Sequence, residues 1–326
     1  MIEPPYVSWR GHGQVSLPAP GVFTDSLTTY FFIPADPAHT QPMVDTLLNA
    51  APRKDVRYEV FGAYAMVVFL SVGRMTTPGE PFGWIPYREA SIWLPLVEYR
   101  DGHWPRFVAW MPYVFPDASI PLVCGREGYG FNKSIGRISL PSGDGAAPRY
   151  VCETTVFKTM TSDCQGQVLP LFSVAGGGGR GGLWTTLKDL VDGVRDMLPP
   201  RHGIRPSAGR ASTSLATDAA LIVSGIDSLL TGTVRLTNLM QFRAPADSAR
   251  ACYQAIVDCP MKVDRFLGAW PLSGPWTVEV ADVASHQVIN DLGLPPSGRV
   301  DVDLALQVHM DFRCDNGEVL WQAGAG

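Results

Sequence analysis

The chain has 326 residues, 46% hydrophobic and 17% charged, enough to bury a sizeable core in one elaborated domain or two smaller ones. Its formal net charge of -5 gives no basis for gripping nucleic acid by phosphate neutralisation, and no run reaches the ~18 uncharged apolar residues of a membrane span. A small molecule is the partner these properties leave.

In chain order, 29–33 predicts a strand, and 38–51 a helix with Val44, Leu47 and Leu48 at helical spacing and Pro52 after its end. Strands follow over 58–72, 90–99, 106–114, 120–123 and 137–140. All are short, rich in aromatic and β-branched residues, and punctuated by Pro and Gly.

The middle differs. The glycine tract 176–182 reads as a mobile hinge, because no Gly-Lys-Ser/Thr follows it to make a phosphate loop. An amphipathic helix then spans 183–198, with apolar residues at 183, 187, 190, 191, 194 and 198, and Pro199-Pro200 stops it. After a polar loop over 201–217, a second helix is expected over 218–230. Residues 172–232 thus form an insertion in a single domain covering 1–326, placed to cover a pocket or build an oligomer contact.

Strands return over 233–242, 261–270, 276–283 and 301–312, with a helix over 248–258 between the first two. In 301–312, Val302, Leu304, Leu306, Val308 and Met310 alternate with Asp303, Ala305, Gln307 and His309, as in a strand with one wet face. Such spacing predicts antiparallel sheets packed as a sandwich or closing on themselves.

The six cysteines, at 124, 152, 164, 252, 259 and 314, show no C-x-x-C pair and no cluster at metal-ligand spacing. The start MIEPPYVSWRGHG lacks the apolar core of a signal peptide, so they read as reduced thiols of a cytoplasmic protein with neither metal nor cofactor. Cys124 reads as a small buried residue ending a strand.

The segment Gly125-Arg126-Glu127-Gly128-Tyr129-Gly130-Phe131-Asn132-Lys133-Ser134 carries the chemistry. The apolar run before it would set Lys133 against a sheet and partly out of water, and desolvation disfavours an ammonium. A neutral amine there attacks a ketone or aldehyde to form an iminium, an electron sink. The alternative is a solvated loop lysine.

The string GREGYGFNK resembles the catalytic-lysine segment of the acetoacetate decarboxylase-like superfamily, in which a GRE triplet precedes the Schiff-base lysine. Three more stretches agree in the same order: Tyr87-Arg88-Glu89, then 239–243 with 250–254, then 286–294. The resemblance covers roughly residues 25 to 312 and implies an α+β, mainly antiparallel β-sandwich or closed-barrel core with a few peripheral helices, commonly as a homo-oligomer. It implies catalytic roles for Lys133 and Glu89, and substrate contacts for Tyr87, Arg126, Tyr129, Phe131 and Gln241. Trp84 and Trp93 would help make the pocket apolar, and Arg126 with Glu127 would fix the turn that aims the lysine.

This sequence also departs from the pattern. Ser134 stands where the decarboxylase has a second lysine, so burial alone must tune the amine. Thr28-Thr29 stand where an arginine precedes an aromatic pair, and apolar residues within 66–69 replace a second glutamate. The function expected is a Schiff-base-forming lyase acting on a keto or aldehyde acid, by decarboxylation or by aldol-type condensation and dehydration. The alternative is a binding protein that keeps the fold without the reaction.

Overall fold

The computed structural model describes residues 5–7, 11, 16–50, 56–79, 82–141, 147–197, 228 and 232–323. Alternation decides which way each strand's side chains turn. In β1 (Gly21–Pro34), Phe31 and Ile33 join one core while Tyr30 and Phe32 pack against another. Helix α1 (Pro37–Leu47) is capped by the Asp36 carboxylate, which accepts from the Ala38 amide. Val44 and Leu48 are buried as their spacing requires, whereas Leu47 is exposed.

The chain continues through β2 (Val56–Val60), β3 (Tyr64–Thr76), β4 (Ile85–Arg100) and β5 (Arg106–Pro116). The strand expected over 58–72 is therefore two. Gly62, at φ 75, turns the chain between them, and β2 pairs with β4 instead of β3.

Residues 120–123, expected as a strand, open helix α2 (Ser119–Tyr129). Pro121 sits in its first turn, where a missing N–H costs nothing, and Gly130 takes the left-handed φ of 73 that ends it. Next come β6 (Gly136–Ser139), β7 (Arg149–Val156) and β8 (Gln167–Gly176), the last two without a counterpart in the sequence reading. Because β8 takes in 172–176, the chain leaves the sheet only after Gly176.

The glycine tract is pinned and is not a free hinge. The amides of Gly177, Gly178 and Gly181 donate to the carbonyls of Pro275, Ser273 and Pro271 at 2.6, 2.6 and 2.8 Å. A Cβ on Gly177, whose φ is 79, would come within 2.0 Å of the Trp276 ring. Helix α3 (Leu187–Met197) buries Leu190 and Val191, and it starts later than residue 183 because Trp184 bridges to Ala269. Leu198, Pro199-Pro200, the loop 201–217 and, apart from Ser228, the helix expected over 218–230 lie outside the described residues.

Then follow β9 (Thr233–Arg243), β10 (Ala251–Pro271), β11 (Trp276–Val280), α4 (Val288–Leu292), β12 (Arg299–Asp301), β13 (Leu304–Cys314) and β14 (Glu318–Gln322). The helix expected over 248–258 belongs to β10. Residues 255–259 are buried without a break, so Ile256 and Val257, which the helix would have turned inward together with Ala251, are consecutive sites on a strand covered on both faces, while Ala251 is exposed. Burial on two faces also corrects the reading of β13, where Ala305 and Gln307 are covered along with Leu304 and Leu306.

The pairing order β13-β1-β3-β4-β5-β9-β10 closes into a ring, because β10 pairs with both β9 and β13. Its pairings are antiparallel except for β5 with β9, joined in parallel at Ala109 and Leu236. A second sheet, in the order β12-β11-β8-β7-β6, packs on the outside. The architecture is thus α+β and mainly antiparallel, as the resemblance implied. Phe31, Phe69, Ile92, Phe172 and Trp276 fill the space between the sheets, while Phe23, Met111, Leu236, Met261 and Phe312 fill the ring. Among the described residues no helix is long and apolar enough to cross a membrane.

Candidate active site

Strand β4 supplies the carboxylate through its period of two. Ala90, Ile92, Leu94 and Leu96 turn toward the second sheet, so Tyr87, Glu89 and Trp93 turn into the ring. Glu89 pairs in register with Leu70 of β3, which pairs with Thr28 of β1. These three therefore form one row on the inner face. The position beside Glu89 is apolar, and the position beyond it is a buried threonine.

The lysine comes from the far edge of β5, the strand that pairs with β4 at Glu89. After Gly130 ends α2, the Phe131 amide returns to the Gly125 carbonyl at 3.0 Å, the Lys133 amide donates to the Phe131 carbonyl at 2.8 Å, and the Ser134 amide donates to Val114 of β5 at 3.0 Å. Asn132 holds the Pro112 carbonyl at 3.2 Å, and Arg126 Nη1 donates to the Lys133 carbonyl at 3.0 Å. The loop is thus tied at four consecutive residues. The side chain then runs back across α2 at Gly125, where a Cβ would lie 2.5 Å from Lys133 Cε and 2.7 Å from its Cδ.

Lys133 Nζ meets Glu89 Oε2 at 2.7 Å, with both residues 7% exposed. The Phe131 ring lies 5.4 Å from the same nitrogen, within the reach of a cation–π contact. Both groups open on a cavity of about 80 Å³ inside the ring, walled chiefly by apolar residues from the ring and α2. At ~10–15 Å³ per water position this has room for a small carbonyl compound.

The other polar walls stay neutral. Burial and the Glu89 charge hold the Tyr87 phenol far above its usual pKa, and burial does the same for Tyr129, whose hydroxyl donates to the Cys314 carbonyl at 2.9 Å. Cys124 also lines the cavity, but from the middle of α2. Burial raises its thiol pKa, and Sγ accepts from the Leu17 amide at 3.0 Å.

Of the expected site residues, Lys133, Glu89, Tyr87, Tyr129 and Phe131 line one cavity, with Trp93 among its walls. Arg126 is exposed and not part of the wall. Its role toward Lys133 is to hold the backbone. Gln241 is also outside: it is exposed on β9 and bonded to Gln254 of β10 at 3.2 Å. Trp84 is 53% exposed and stacks on Arg74. Ser134 is exposed, so a side chain there points away from the amine. The sequence reading missed Gly125 as the cradle of the lysine, although a glycine inside a helical stretch signals close packing.

No protein-family model and no curated protein matches the sequence. Solved structures do match in three dimensions. Acetoacetate decarboxylase from Legionella pneumophila subsp. pneumophila str. Philadelphia 1 superposes with a TM-score of 0.58 at 14% identity, covering 100% of this chain and 94% of that chain. The chain has the acetoacetate decarboxylase-like fold. The same fold relates it to the enduracididine biosynthesis enzyme MppR complexed with pyruvate, at TM-score 0.55 and 15% identity over 96% of this chain and 95% of that one. An acetoacetate decarboxylase-like enzyme from Sphingomonas wittichii RW1 matches at TM-score 0.55 and 13% identity, over 97% of this chain and 98% of that chain.

Proposed function

We propose that the protein is a lyase that forms a Schiff base between Lys133 and a small carbonyl compound. The observation that carries this reading is the buried contact of 2.7 Å between Lys133 Nζ and Glu89 Oε2 at the wall of an apolar cavity. Transfer of a proton across that contact leaves a free amine in an enclosed site, which adds to the substrate carbonyl. Glu89 then returns the proton to the departing hydroxyl, giving water and an iminium. The iminium accepts the electron pair of a neighbouring C–C or C–H bond, with Glu89 again positioned to take or give a proton. The neutral Tyr87 phenol stands at the same wall as a donor for a substrate oxygen.

Both decarboxylation and aldol-type condensation use this electron sink, and structural neighbours with the same fold carry both labels: acetoacetate decarboxylase, and MppR complexed with the condensation product of pyruvate and imidazole 4-carboxaldehyde. Borohydride in the presence of a panel of ketones, aldehydes and keto acids tests the proposal. At least one member adds irreversible mass to the protein, and Lys133→Ala abolishes that gain. A protein that only binds ligands gains thermal stability with such compounds but no mass.

A further inference from the structure

We infer that the carbonyl compound taken up beside Lys133 is uncharged, a ketone or aldehyde without a carboxylate, so that of the two reactions above it is the aldol type and not decarboxylation that the site serves; this rests on the Schiff-base reading above. The motive is a charge count. Among the described residues that wall the cavity, Glu89 and Lys133 alone carry charge, and they face each other at 2.7 Å. Once the amine becomes an iminium, its positive charge is matched by Glu89. A substrate carboxylate would then be a second anion in the same small space, with no cation of its own among the described residues.

The arginines that adjoin the site in sequence, Arg126 and Arg88, are turned to other uses. Arg126 is exposed and donates to the Lys133 carbonyl, and Arg88 Nη1 donates to the Ile138 carbonyl at 3.3 Å. In the row Thr28-Leu70-Glu89, a short hydroxyl and an isobutyl group occupy the places from which a long basic side chain would reach the iminium. The neutral donors on the wall itself are mostly taken. Thr77 Oγ1 is held by the Pro18 carbonyl at 2.9 Å, and the Tyr129 hydroxyl by that of Cys314. Tyr87 is left as the one hydroxyl on the wall without a hydrogen-bond partner among the described residues.

Burial and the Glu89 charge both raise the pKa of the Tyr87 phenol, and a carboxylate placed beside it would meet the same two forces. A dry site also speeds CO2 loss by stripping water from a carboxylate, which would favour a keto acid once bound. That acid must first enter, so the test reads entry and imine formation, not CO2.

Iminium formation and hydrolysis replace the carbonyl oxygen with one from solvent, so uptake of ¹⁸O from labelled water counts imine turnovers. The matched pair is 5-methylhexan-2-one and levulinate, alike in size and in ketone reactivity and differing by an isopropyl group in place of the carboxylate. The ketone is expected to exchange at least ~10-fold faster per unit concentration, a ratio that corresponds to about 1.4 kcal/mol. Exchange of levulinate as fast as the ketone, lost in Lys133→Ala, overturns the inference and leaves the lysine reading standing. Exchange of neither compound, in a protein whose Lys133 also resists borohydride labelling by the wider panel, overturns both.

Discussion

Lys133 reaches Glu89 across a residue with no side chain. With a methyl group at position 125, Cε and Cδ would sit at 2.5 and 2.7 Å from the new carbon, so the lysine has to leave its path. Gly125→Ala is therefore expected to cut turnover by ~100-fold or more, since a misplacement of about an ångström has that effect on a positioned group. Alanine is a better helix former than glycine by roughly 1 kcal/mol, so the melting temperature should stay level or rise. That split separates lost positioning from lost folding. Glu89→Gln keeps the shape and removes the proton acceptor, so imine turnover measured by ¹⁸O exchange should fall by ~10²–10⁴-fold. At this scale Tyr87 and Glu89, picked out in the sequence by the family resemblance, share one inner face because they stand two residues apart on a strand. Gln241 lies outside the cavity because matching a motif does not say which face of β9 meets the ring, and Arg126 holds the Lys133 carbonyl, in keeping with its expected part in fixing the turn and not with a substrate contact.

The element that aims the lysine is helix α2, whose sequence reads ambiguously. A four-residue apolar run fits a buried strand or one face of a helix, and length is what decides. Pro121 near the start and Gly130 just past the end were the legible signals. In β10 the conflict was the reverse: a fully covered strand has no alternation, so its apolar residues mimicked a helical stripe. Helix α4 offers a test of how its approach is packed. His286 stands beside the rings of Tyr113 and Phe115, at centroid distances of 6.3 and 5.7 Å, with Nδ1 on the Ser285 hydroxyl, and Asp291 nearby is bonded to the Tyr113 hydroxyl. Burial lowers the His286 pKa from 6.5, so the unfolded chain takes up a proton first as pH falls. The folded state therefore loses stability as pH falls through the unfolded value of 6.5, and His286→Gln should flatten that part of a melting-temperature profile. An unchanged profile would remove His286 from the account.

The whole molecule depends on closing the ring, whose seam between β5 and β9 is joined at one backbone pair. Side chains reinforce it. Arg106 of β5 binds Glu98 of β4 at 2.8 Å and Asp258 of β10 at 2.9 Å, while Arg235 of β9 binds the same Asp258 at 2.7 Å. Asp258 is fully buried, so Asp258→Ala leaves two arginines facing one another without their shared anion. A loss of about 3 kcal/mol in denaturant unfolding is expected, at the lower end for a broken buried pair because both arginines are partly exposed. A change below about 1 kcal/mol would mean that backbone pairing alone holds the seam. Sequence could not show this network, since its members lie up to 160 residues apart, from Glu98 to Asp258.

All of these scales meet in one claim, that Lys133 is the nucleophile. The chain has five lysines, at 54, 133, 158, 188 and 262. Of the four described, Lys158 and Lys188 are exposed, Lys262 is paired with Asp315, and Lys133 alone is buried. Peptide mapping after borohydride reduction with a small ketone decides among them: the added mass should fall on Lys133, at one per chain, and be absent from the exposed lysines. Reduction that labels Lys158 or Lys188 while leaving Lys133 unmodified would contradict the account.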